Sequence, residues 1–183
     1  MISLISDLSL VDRRSVAADA SAQALPPGGW VSFQVVNGEE TATPLQSGLS
    51  DYGLQIFVSG DSLGVTADVA ELDKAPVIDG AYHAITDQYT VVDGHTPTPG
   101  EGLFIPIVEG NEGLVEVDTL SSRSGIILGV VLRALSNYEY AGVVYSEVIE
   151  YVINNEPIII SGTGGYEQTG FGQADFGEGP FGG

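Results

Sequence analysis

The sequence predicts a mainly β chain: a compact barrel or sandwich body with an extended N-terminal arm and a Gly/Phe-rich C-terminal tail. Three observations predict it. Between Trp30 and about Ile160 the apolar residues come in short runs of period two, the spacing of a strand. Gly, Asp, Asn and Pro punctuate those runs. No convincing amphipathic helix interrupts them, which favours a sheet packed on a sheet or closed on itself. The chain accordingly divides into an arm at 1–27, a body at 28–160 and a tail at 161–183.

The arm ends at the breaker Pro26-Pro27-Gly28-Gly29. Its middle, Ala17 to Ala24, is small and polar without strong periodicity, and a short helical turn fits Ser6 to Val11. Arg13 and Arg14 stand side by side in it. They are either a solvated pair, the commoner case, or an anchor onto an acidic partner. The opening residues MISLISDLSL lack a basic start, carry Asp7 and run into the two arginines, an order unlike a signal peptide. The expectation is a protein that stays in the compartment where it is made.

In the body, WVSFQVV sets Val31, Phe33 and Val35 against Ser32 and Gln34. GVTADVAE does the same with Val65, Ala67 and Val69, and LVEVD with Val115 and Val117 against Glu116 and Asp118. YSEVIEYVI alternates through Val148, Glu150 and Val152 on one face and Ile149, Tyr151 and Ile153 on the other. Further strands are expected at Leu54–Val58, Ala81–Thr86, Gln88–Val92, Leu103–Val108 and Ile126–Leu135. Pro106 places its strand at an edge or a bulge, because proline donates nothing to a ladder. GIILGVVLRAL is nearly continuous and reads as buried on both faces, with Gly129 permitting a bend or a close backbone approach.

The tail reads YEQTG FGQAD FGEGP FGG, with Tyr166, Phe171, Phe176 and Phe181 five residues apart. Five fits neither the helical period nor the strand period, so successive rings cannot line one face of either. Such a segment is either a flexible low-complexity tail or one held by pockets on a neighbour. The regular rings, with glycines that let the backbone lie flat, favour docking. The candidate partner-binding residues are therefore Arg13, Arg14, Tyr166, Phe171, Phe176 and Phe181.

Charge and chemistry narrow the function. Five Lys plus Arg against 25 Asp plus Glu give a formal charge of −20, which repels nucleic-acid backbones and anionic lipid. No run of about 18 apolar residues is present to span a bilayer. Neither nucleic acid nor membrane is expected as a partner. Cysteine is absent, removing disulfides, thiolate metal sites and a thiol nucleophile. His83 and His95 have no second histidine at a ligand spacing. Ser124-Gly125 and Ser161-Gly162 lack a nucleophile-elbow pattern, and Gly162–Gly165 lacks a following Lys-Ser/Thr. Lys74 reads as a surface turn residue. Glu109, Glu112, Glu116 and Asp118, with Asp87 and Asp93 beside another strand, offer carboxylates for calcium, but in no EF-hand order. Paired-carboxylate hydrolysis finds no support in the spacing. No enzyme and no cofactor are expected.

The order of segments resembles that of bacteriophage capsid cement, or decoration, proteins. The likeness lies in LVDRRSVAA, then ALPPGGWVSFQVVNGE, then GAYHAITDQYTVVDG, and at the end GIILGVVLRALSNYEY and GVVYSEVIEYVI. It covers roughly Leu10 to Ile153 and is one of layout; the closing Gly-Phe repeat lies outside it. The resemblance implies a small β-barrel or β-tulip-like body, a homotrimer, the major capsid protein as partner and a place on the outer virion surface. There it would stabilise the shell without enzymatic activity. Another virion component (neck, tail or fibre) and a calcium-dependent surface module are the alternatives.

Overall fold

Most of the alternating runs become strands. A computed structural model describes residues 1–6, 12–46, 56–59, 74–107, 109–120, 125–161 and 165–167. In chain order the strands are β1 (Ile2–Leu4), β2 (Asp12–Ala18), β3 (Trp30–Val36), β4 (Glu39–Pro44), β5 (Ile56–Ser59), β6 (Lys74–Asp79), β7 (His83–Thr86) and β8 (Tyr89–Val91). They continue as β9 (Gly102–Phe104), β10 (Val115–Asp118), β11 (Gly125–Tyr140), β12 (Val143–Ser161) and β13 (Gly165–Glu167). One short helix, α1 (Ala20–Gln23), starts where the Asp19 carboxylate accepts the Ala22 N–H at 2.7 Å.

The strands form two groups. The larger is a sheet in the order β1-β7-β12-β11-β9-β10-β8, with β13 added on β12. It is mixed, since β8 and β10 run parallel while the other ladders are antiparallel. In the smaller group the ladders close on themselves in the order β2-β4-β3-β5-β6. That closure includes a short parallel contact, Ala17 with Thr41 and Ala18 with Ala42. Asn37 and Gly38 make the β3–β4 turn with φ of 54° and 86°, left-handed values that suit this residue pair.

Trp30, Leu45 and Ile78 of the smaller group pack among Ile2, Leu103, Val117, Ile149 and Tyr151 of the sheet, so one core joins both. A second core of Val16, Val31, Phe33, Ala42 and Val77 lies within the smaller group. Residues on β3 therefore serve opposite sides. Trp30 faces the shared core while Val31 and Phe33 face the inner one, and Ser32 is buried too, its hydroxyl 3.3 Å from that of Thr43. Alternation fails at the end of the strand, where Val35 is 74% exposed.

Several expectations change. The stretch expected as an arm supplies two strands: β1 pairs with β7 and β2 pairs with β6. Ile2, fully buried, explains why so short a strand holds. The expected helical turn falls mostly on residues 7–11, outside the described residues, and helix forms instead at Ala20–Gln23. Lys74 opens β6 opposite Ala17 rather than sitting in a turn. The Pro76 two positions on disguised that strand. Around Pro106 the strand stops early: β9 ends at Phe104, and the Ile107 N–H turns to the Glu116 carboxylate at 3.1 Å. Glu116 and Asp118 do oppose Val115 and Val117, yet all four are buried. The expected Val65–Val69 strand lies outside the described residues.

Gly129 behaves as its position in the apolar run suggests. The register shifts between Ile127 and Gly129 on both sides of β11, and a Cβ at Gly129 would lie 2.1 Å from the Val152 carbonyl oxygen. Burial is confined to the first half of this strand, because Leu132 is already 38% exposed.

Candidate functional site

β11 and β12 span 16 and 19 residues, far more than the three or four of β7 and β9 beside them. The ladder to β9 ends at Val130, and that to β7 covers Ile149 to Val152. Among the described residues, Leu135–Tyr140 and Val143–Val148 therefore pair only with each other. The result is a two-stranded hairpin continuing roughly 20 Å beyond the sheet at about 3.3 Å per residue.

An unsupported hairpin is marginal in water, and this one is supported on one side. Leu135, Tyr138, Tyr140 and Tyr145 pack against a cluster of Met1, Ile85 and Val148, and the Tyr138 hydroxyl lies 3.3 Å from the Ser3 hydroxyl. Three residues separate Leu135 from Tyr138, a step that strict alternation would send to opposite faces. Asn137 lies between them with φ 54°, and its left-handed backbone changes the phase. At the tip, Ala141 and Gly142 turn the chain with φ of 50° and 79°. Val143 and Val144 follow, 51% and 62% exposed.

The hairpin is clamped at its root. Arg133 and Glu150 are cross-strand partners, and the Arg133 Nε–H donates to the Glu150 carboxylate. The other Glu150 oxygen lies 2.8 Å from His83 Nε2. Burial pushes the Glu150 pKa up, but the bonds from Arg133 and His83 outweigh it and hold the group below the usual glutamate range.

Beside the root lies a cleft of about 490 Å³. Tyr89–Val91 and the loop Gly94–Pro97 form one wall; Ala134–Ser136 and Ser146–Val148 form the other. Burial, then the charges of Glu147 and Asp87, push the Tyr89 hydroxyl pKa up. Asp87 also receives the Met1 ammonium and the Gln88 amide, the latter at 2.7 Å.

The loop wall is held by Glu101, 5% exposed, which bonds the Thr98 N–H and hydroxyl and His95 Nε2, each at 3.0 Å. His95 Nδ1 lies 2.8 Å from the Val92 carbonyl. With an acceptor at each ring nitrogen, the protonated ring is favoured: the Val92 carbonyl first, then Glu101, raise its pKa above the ordinary 6.5. A raised folded-state pKa gives stabilisation that is complete below the ordinary value and lost as pH rises through the raised one. In a proton NMR titration, Glu101→Gln is expected to lower the His95 pKa. His95→Gln should cost more thermal stability below pH about 6 than above pH about 9. Equal losses at both would contradict the assignment.

The sequence-selected residues are dispersed. Arg13 and Arg14 lie on β2, in register with Ile78 and Val77 of β6. Tyr166 lies on β13, paired with Ile160 of the same chain. Phe171, Phe176 and Phe181 lie outside the described residues. The acidic residues also part company: Glu109 and Glu112 are exposed, while buried Glu116 holds the Ile107 N–H and Asp118 the Thr119 N–H. No group of three or more His, Asp or Glu fit to hold a metal occurs among the described residues. No helix among them is long and apolar enough to cross a membrane. The hairpin and the cleft escaped the sequence reading, although two long β-branched and aromatic runs meeting at Ala141-Gly142 are their signal. The chain matches no known family model, no curated protein sequence and no solved structure.

Proposed function

We propose that this chain is a non-enzymatic structural protein that docks on a larger assembly, specifically a cement or decoration protein on the outside of a phage capsid. The observation that carries docking is the β11–β12 hairpin, braced by the Met1–Ile85–Val148 cluster yet ending in exposed Val143 and Val144. Its outer strand edges have no ladder partner among the described residues, and open edges with β-branched residues invite pairing with another chain. The resemblance in segment order supplies the capsid, the major capsid protein as partner and a homotrimer. The charge of −20 suits a surface that must not adsorb to the DNA being packaged.

Binding only to the assembled lattice lowers the free energy of that lattice, which is how such a protein stabilises a shell. Three copies acting together multiply weak contacts. The Gly-Phe repeat favours a second reading, a neck, tail or fibre component, in which the rings from Tyr166 to Phe181 seat on a neighbour.

Val143→Ser with Val144→Ser tests the hairpin. Burial of two valine side chains accounts for a loss of about tenfold or more in affinity for particles stripped of this protein, with the melting temperature unchanged. Undiminished particle binding would remove the hairpin from the contact.

A further inference from the structure

We infer that the cleft at the hairpin root receives an extended segment of a partner protein carrying an arginine or lysine side chain. The inference deepens the docking reading by naming the chemistry of the partner. Three features of the cleft point the same way. First, both walls contain strand without a second neighbour. Among the described residues β8 is the last strand of its sheet and pairs only with β10. Ser146–Val148 of β12 precede the β7 ladder, which begins at Ile149. After Thr86 the chain leaves β12 and crosses to β10, so the cleft opens in the fork between β12 and β8. Backbone donors and acceptors along such edges bind an added strand without regard to its sequence.

Second, the space suits a few residues of peptide. Its volume of about 490 Å³ falls in the range of about 300–1,000 Å³ typical of ligand sites. The lining includes Thr90, Ser136 and Ser146, whose hydroxyls hydrogen-bond a backbone or a guanidinium equally well.

Third, the charge is unbalanced. Asp87 and Glu147 both line the cleft, and among the described residues no Lys or Arg does, while His95 of the lining is already matched by Glu101. Asp87 is met by the Met1 ammonium, but Glu147 has no cation against it among the described residues. Arg133, close by in sequence, is committed to Glu150. A cation brought by the partner would meet Glu147 and Asp87 together beside Tyr89, whose ring face also attracts it. An acidic segment would be repelled from the same place, which gives the cleft its selectivity.

The test uses the full chain and a capped peptide, Val-Arg-Val-Arg-Val, followed by amide chemical shifts and affinity. Shifts are expected at Tyr89–Val91 and Ser146–Val148. Glu147→Gln should weaken binding about fivefold. Glu39→Gln, which removes the same charge from the exposed start of β4, should change it by less than about twofold. A Val-Glu-Val-Glu-Val peptide should not bind. Shifts spread over the whole acidic surface, equal effects of the two substitutions, or binding of the acidic peptide would each overturn the inference. No particle enters the assay, so the cleft can fail while particle docking stands, and particle docking can fail while the cleft binds peptide.

Discussion

Gly129→Ala is expected to leave little folded protein. The methyl group would sit 2.1 Å from the Val152 carbonyl oxygen and 3.0 Å from the Ile153 Cδ1. Only the isoleucine end can move aside. The carbonyl belongs to the β11–β12 ladder, which shifts register at this point and again between Val131 and Arg133. Relief would require parting the two strands that carry both the shared core and the hairpin. Steric disruption of this kind belongs to the rare class of substitutions costing roughly 4 kcal/mol or more, against a total stability of about 5–15 kcal/mol for a domain. Thermal or urea unfolding would reveal it; a midpoint within a few degrees of wild type would mean that the close approach is relieved cheaply.

Trp30→Ala is expected to cost about 3–5 kcal/mol. The indole is 1% exposed, lies 5.7 Å from the Tyr151 ring centroid and donates its N–H to the Gln88 carbonyl at 3.0 Å. Its place matters as much as its size. It belongs to β3 of the smaller group but fills the core of the large sheet, beside backbone bonds that tie Trp30 and Leu45 to Gly113 at 2.9 Å. Removal opens a cavity at the junction of the two groups and deprives the Gln88 carbonyl of its donor. For a chain of this length the loss corresponds to a fall of roughly 10 °C in melting temperature. Trp30→Phe keeps most of the apolar contact and loses only the hydrogen bond, so it should cost about 1–3 kcal/mol. Equal losses from the two substitutions would assign the effect to the hydrogen bond rather than to packing.

Period-two alternation identified β3, β10 and β12 because each keeps one face in a core for several residues. It misjudged depth where a strand is covered on both sides: Glu116 looked like a solvent-side position but lies buried, satisfied by the Ile107 N–H. Such satisfaction comes from the loop after the neighbouring strand β9 and leaves no trace in the alternation. The first strands were obscured for another reason. Ile2–Leu4 and Asp12–Ala18 are short or rich in alanine and arginine, so their strand character depends on the edges of β7 and β6 that receive them. Pro76 hid β6 in the same way, since it is tolerated there opposite Ser15.

The candidate site was less legible than the fold. Unusual residues drew attention to Arg13, Arg14 and the rings of the tail, whereas the hairpin consists of ordinary strand residues. Its distinction is a mismatch in length between neighbouring strands, which appears only when pairing is known. The phase change at Asn137 adds to this, because one left-handed residue moves Tyr138 and Tyr140 to the side that strict alternation denies them. The cleft is assembled from three separated segments. Only the fork between β8 and β12 brings Asp87 and Glu147 to one place.

The central claim, that this chain is a capsid-docked structural protein, is tested most directly by counting it in phage particles purified from its source. Quantitative mass spectrometry against the major capsid protein is expected to find it in intact particles at a comparable copy number, on the order of hundreds. Its absence from the particles, or a few copies per particle, would contradict the cement role.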